Sequence, residues 1–118
     1  MEKETKAVKS PQKVKVLILT GAEMGSHNWR TRTKALQEIL AVDSRFEVGV
    51  EEDPEFLAQG ELFQYDVILM NFYSGKKDYP GKKSKENLTK FVGEQGKGLF
   101  VLHYACGNFK GWSEWDRK

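Results

Sequence analysis

Two histidines, His27 and His103, and one cysteine, Cys106, are the only residues of their kinds in the chain. An imidazole with its ordinary pKa of about 6.5 suits general acid–base work near neutral pH. Two imidazoles can also hold a metal once a third ligand joins them. No third ligand stands at a recognisable spacing, so a divalent metal is left open and no cofactor is predicted. Asn71 and Tyr73 can hydrogen-bond the hydroxyls of a substrate, and Trp29 and Trp112 are each either a packing anchor or a platform for a sugar face. A lone cysteine rules out an internal disulfide and a multi-cysteine zinc module.

These residues must be positioned by elements far apart in the chain, and the hydrophobic pattern supplies them. Residues 14–20, VKVLILT, form a nearly continuous aliphatic run ending at Gly21, as expected of a strand covered on both faces. Within 31–41, Ala35, Leu36, Ile39 and Leu40 recur at the spacing of one helical face, opposite Lys34, Gln37 and Glu38. Residues 46–50 alternate and read as an edge strand. Asp53 and Pro54 mark a helix start, as cap and first-turn proline. Residues 65–71 are a third strand, and a helix from Ser84 carries Leu88, Phe91 and Val92 until Gly96 stops it. Residues 98–103 are the fourth strand, and a further helix begins near Asn108.

Strands alternating with helices in this way predict an α/β fold, a doubly wound parallel sheet of flavodoxin-like type with strand order 2-1-3-4. Ligands of such sheets bind beyond the carboxyl ends of the strands, where the order reverses, here between the first and third. His27 and Trp29 follow the first strand, Asn71 and Tyr73 end or follow the third, and His103 and Cys106 end or follow the fourth. The opposite strand ends carry Lys13, Arg45, Gln64 and Lys97, ordinary solubilising residues. The functional rim is therefore predicted at the carboxyl ends.

Other chemistries are disfavoured. There is no phosphate-binding G-x-x-x-x-G-K-[ST] loop, and Gly21 with Gly25 does not fit the dinucleotide fingerprint. Nineteen basic against seventeen acidic residues leave a charge of only +2, which does not point to nucleic acid or a membrane surface. No apolar run approaches the roughly 20 residues of a spanning helix. Residues 1–13 are charged and almost devoid of apolar side chains, so they read as a disordered lead-in to a single domain over 14–118. With no signal peptide in view the expected location is cytoplasmic, or the periplasm if a signal has been removed.

The segments KVLILTG (15–21), HNWRTRT (27–33), YDVILMNFY (65–73) and ENLTKFVGEQGKGLFVLHYACGNFKGW (86–112) together resemble the trehalose-utilisation, or ThuA-like, family. The most specific match is the segment 98–112, with an L-H-x-A-x-G-x-F pattern at its centre. The resemblance implies a class I glutamine-amidotransferase-like fold and a role in carbohydrate utilisation, as a hydrolase-type enzyme acting on trehalose or a related sugar. It also implies that the family domain continues past Lys118, so that these residues are either its N-terminal part or a shortened homologue that relies on a partner, with the fourth strand as an exposed edge. Amidotransferase chemistry itself does not carry over. That chemistry needs a cysteine at the centre of a G-x-C-x-G elbow. Matching Gly107 to the second glycine puts Ala105 at the nucleophile position and Cys106 one residue late. Two functions stay open: catalysis with His27 and His103 as acid–base pair, or a non-catalytic module that holds a sugar or a partner on the same rim. In either, Trp29, Asn71, Tyr73, Cys106 and Trp112 are the candidate substrate contacts. A homo-oligomer is a further possibility.

Overall fold

A computed structural model describes residues 13–21, 29–73 and 79–102, together with 105, 108, 109, 112 and 115. The elements are β1 (Val14–Leu19), α1 (Trp29–Ala41), β2 (Phe46–Glu51), two 3₁₀ turns (Pro54–Ala58 and Gly60–Gln64), β3 (Val67–Met70), α2 (Lys82–Thr89) with a π-helical turn (Lys90–Glu94), and β4 (Gly98–Val101). All strand pairings are parallel and the order is β2-β1-β3-β4. β1 is thus central, and the connections leave it in opposite directions on its two sides.

Strand alternation sorts the side chains into two faces. Leu17, Leu19, Ile68 and Met70 face the two 3₁₀ turns and α2, where they are buried with Leu57, Leu62, Leu88 and Phe91. Burying a side chain of this size stabilises the fold by about 1.5–3 kcal/mol, so this layer is the main apolar core. Val16, Ile18 and Thr20 look the other way, towards α1, whose Thr33 bonds Thr20.

The second face departs from the expected pattern. Of the predicted apolar stripe of α1, Ala35 is exposed, Ile39 is 65% exposed, and Leu36 and Leu40 are only half-buried. The helix starts at Trp29, two residues before the predicted boundary, and its one buried residue is Thr33. The reason is its position: α1 lies along β2, at one edge of the sheet. Among the described residues no helix covers the β3–β4 half of that face, where Phe100 is 66% exposed.

The Asp53–Pro54 start signal opens a short helix as expected, of 3₁₀ type. Asp53 Oδ1 accepts from the Glu55 amide at 2.9 Å, and the turn closes after five residues. Glu55 then reaches the start of α2, where its carboxylate accepts from the Gly81 amide at 3.0 Å and from the Ser84 hydroxyl. At the other end, Gly96 adopts φ +66° and the Lys97 amide donates to the Phe91 carbonyl at 3.0 Å, the stop that the glycine predicts.

Candidate functional site

At the carboxyl ends of β1 and β3, polar residues replace the aliphatic ones. Thr20 and Asn71 continue β1 and β3 beyond their last paired residues, and Thr33 lies over them from the second turn of α1. All three are buried, Asn71 to 2% exposure. Groups so buried cost free energy unless each finds its partners, and here the accounting closes. Arg32 Nε donates to Asn71 Oδ1 at 2.9 Å. That contact fixes the orientation of the amide, because a guanidinium has no acceptor. Asn71 Nδ2 then donates towards the Thr20 hydroxyl at 3.1 Å and that of Thr33 at 3.2 Å, two oxygens that lie 2.9 Å from each other. The Thr20 hydroxyl passes its proton to the Asn71 carbonyl at 3.1 Å, and the Thr33 hydroxyl shares its own between the Trp29 carbonyl at 2.6 Å and the Thr20 hydroxyl at 2.9 Å.

The result is a closed network across the point where the strand order reverses. It ties β1, β3 and the first turns of α1 together and ends on the half-buried Arg32. Gly21 completes the exit from β1. Its φ of +110° suits only glycine, and a Cβ there would lie 1.7 Å from the Glu52 carbonyl oxygen. This close approach sets the β1 exit against the end of β2. Asn108, also buried, donates to the Phe72 carbonyl at 2.8 Å and ties the segment after β4 to the one after β3.

The predicted site residues separate as follows. His27, His103 and Cys106 lie outside the described residues. Asn71 stands on the predicted rim, but both ends of its amide are engaged inside the fold, so its role there is to hold Arg32. Tyr73 is half-buried two residues further on, and its hydroxyl has no hydrogen bond among the described residues. Trp29 opens α1 at the rim, with the Arg30 guanidinium 4.3 Å from its ring centroid. Trp112 is elsewhere. It packs edge-on against Phe109, with centroids 5.2 Å apart, and lines an apolar cavity of about 190 Å³ with Leu88, Val92, Leu99 and Trp115. Those neighbours fit a packing residue. Among the described residues no three His, Cys, Asp or Glu side chains group as a metal site.

Sequence reasoning did not single out Thr20, Arg32 or Thr33. The available signal was Thr20, a polar residue ending an aliphatic run in register with Asn71. At the opposite strand ends the polar residues are structural. Lys97 Nζ donates to the Phe63 carbonyl at 2.6 Å and lies 5.4 Å from the Phe91 ring, and Arg45 pairs with Asp43 at 2.6 Å. The Arg45 hydrogen bond holds the Asp43 carboxyl at about 2, below the usual carboxylate range. Tyr65, near that end, has its phenol pushed up by burial and then by Glu51 and Glu47.

A four-stranded parallel sheet of order 2-1-3-4, with a buried polar network at its switch point, defines a doubly wound α/β protein. A family model described as ThuA, trehalose utilisation, matches residues 15–118. The chain belongs to that family, and its role is related to trehalose utilisation. Comparison with curated proteins and with solved structures gives no match.

Proposed function

We propose that the crevice at the carboxyl ends of β1 and β3 binds trehalose or a related sugar, and that the chain acts there as a hydrolase-type, carbohydrate-processing enzyme. The observation that carries this reading is the closed Thr20–Thr33–Asn71–Arg32 network. A sheet gains nothing in stability from a buried polar cluster that an apolar one could not give. A guanidinium held at a switch point, however, gives a ligand's oxygen atoms a preorganised donor.

In this reading Arg32, Tyr73 and Trp29 contact the sugar, and Asn71 acts as a positioning residue through Arg32. His27 and His103, which follow the first and fourth strands in the sequence, are assigned the exchange of protons with the glycosidic or carbonyl oxygen. The test is turnover of trehalose and related disaccharides by the chain and by its His103→Ala and His27→Ala variants, with binding measured in parallel. Loss of turnover with binding retained supports the enzyme. Sugar binding without turnover in the parent chain replaces it with a sugar-holding module on the same crevice. Absence of sugar binding refutes both.

A further inference from the structure

The geometry points to a second subsite beside the crevice, one that receives an anionic group carried by the sugar. This inference rests on the carbohydrate reading above and names the substrate class, a sugar bearing a phosphate or a carboxylate. The subsite is the cleft of about 350 Å³ between the first turns of α1 and the end of β2, lined by Trp29, Arg30, Lys34, Gln37, Val50 and Glu52. That volume is near the low end of the roughly 300–1,000 Å³ typical of small-molecule sites.

Four observations converge. Arg30, Lys34 and Gln37 stand at i, i+4 and i+7 of α1, so one face of the helix carries two cations and a carboxamide. Neither Arg30 nor Lys34 forms an ion pair with a described residue, and among the described residues the cleft sets a single carboxylate, Glu52, against them, an excess of one positive charge. The Arg30 guanidinium is stacked on Trp29 at 4.3 Å. Stacking engages its face and leaves its N–H groups in plane, the geometry that meets phosphate or carboxylate oxygens two at a time. The base of that stack is itself held, because the Thr33 hydroxyl donates to the Trp29 carbonyl at 2.6 Å. The cleft also adjoins the crevice: Gly21, at the exit of β1, touches the main chain of Glu52. A ligand with hydroxyls in the crevice can therefore place a charged substituent here.

The experiment is calorimetric titration of the full chain with glucose 6-phosphate, gluconate, trehalose and inorganic phosphate. An anionic sugar should bind roughly tenfold or more tightly than the neutral one, the worth of one charge-assisted contact. The preference should weaken as salt is raised. In the R30A/K34A variant the preference should fall to near unity, with the melting temperature unchanged because both side chains are exposed. Glu52→Gln should strengthen it. The two anionic arms report whether phosphate or carboxylate is preferred. Equal affinity for neutral and anionic sugars, or a preference that survives R30A/K34A, overturns the subsite while leaving the carbohydrate reading intact. Inorganic phosphate binding as tightly as glucose 6-phosphate also overturns it, since the sugar would then contribute nothing. Failure of every sugar to bind refutes the carbohydrate reading itself.

Discussion

Replacing Asn71 with alanine removes three hydrogen bonds from a site where little water can take their place. Two join neutral groups, the contacts to the Thr20 and Thr33 hydroxyls at 3.1 and 3.2 Å. The third is the Arg32 contact at 2.9 Å, which is charge-assisted. At about 1 kcal/mol for each neutral bond and about 1.5–3 kcal/mol for the charged one, the gross loss is about 3.5–5 kcal/mol. Part of this is recovered. Both hydroxyls keep the carbonyls to which they donate, and the half-buried Arg32 can turn to water. The net destabilisation is then about 2–3 kcal/mol, which in a domain of this size lowers the melting temperature by about 8–12 °C. Thermal unfolding followed by circular dichroism reads this directly. A double-mutant cycle with Arg32→Ala should give a coupling of about 1 kcal/mol or more between the two residues. A fall of less than about 3 °C, or no coupling, would show that the network does not hold Arg32 in place.

Three further outcomes follow from other parts of the molecule. Gly21→Ala combines a positive φ with an overlap on the Glu52 main chain, and should destabilise by about 3 kcal/mol or more, measured by urea unfolding. Asp43 has a folded-state pKa of about 2 against 3.8 for the free side chain, so its pairing stabilises the fold above about pH 4 and that contribution is lost as pH falls towards 2. Asp43→Ala should therefore flatten the stability profile between pH 4 and 2, and salt should shrink the difference between the two proteins. Phe100→Lys should leave thermal stability within about 0.5 kcal/mol, because the ring is already mostly in water, and should lower any self-association seen by sedimentation.

The sheet was legible because its strands are aliphatic runs bounded by glycine and polar residues, and parallel pairing with order 2-1-3-4 follows from alternating strands and helices. The position of the rim follows in turn from that order. The apolar stripe of α1 misled, since Ala35, Leu36, Ile39 and Leu40 have the spacing of a buried face while the helix sits at an edge of the sheet and buries none of them fully. Spacing records which residues share a side, and the neighbour that covers it is a tertiary matter. Asp53 and Pro54 mark a short helix start correctly, as cap and first-turn proline, and the helix they open is 3₁₀. The network around Asn71 was hidden for a different reason. A threonine or asparagine at the end of a strand looks like a simple terminator, and only the register of β1 against β3 brings Thr20 beside Asn71. Trp29 and Trp112 looked equivalent as sugar platforms, yet one lines a polar cleft and the other an apolar cavity.

The central claim is that sugar is bound at the carboxyl ends of the strands. It is tested most directly by amide and indole chemical-shift mapping of the ¹⁵N-labelled chain during titration with trehalose and glucose 6-phosphate. The account predicts shifts concentrated at Thr20, Gly21, the Trp29 indole, Asn71 and Tyr73, with Arg30 and Lys34 joining for the phosphorylated sugar. Shifts centred instead on Lys13, Arg45, Gln64 and Lys97, at the other end of the sheet, would contradict it.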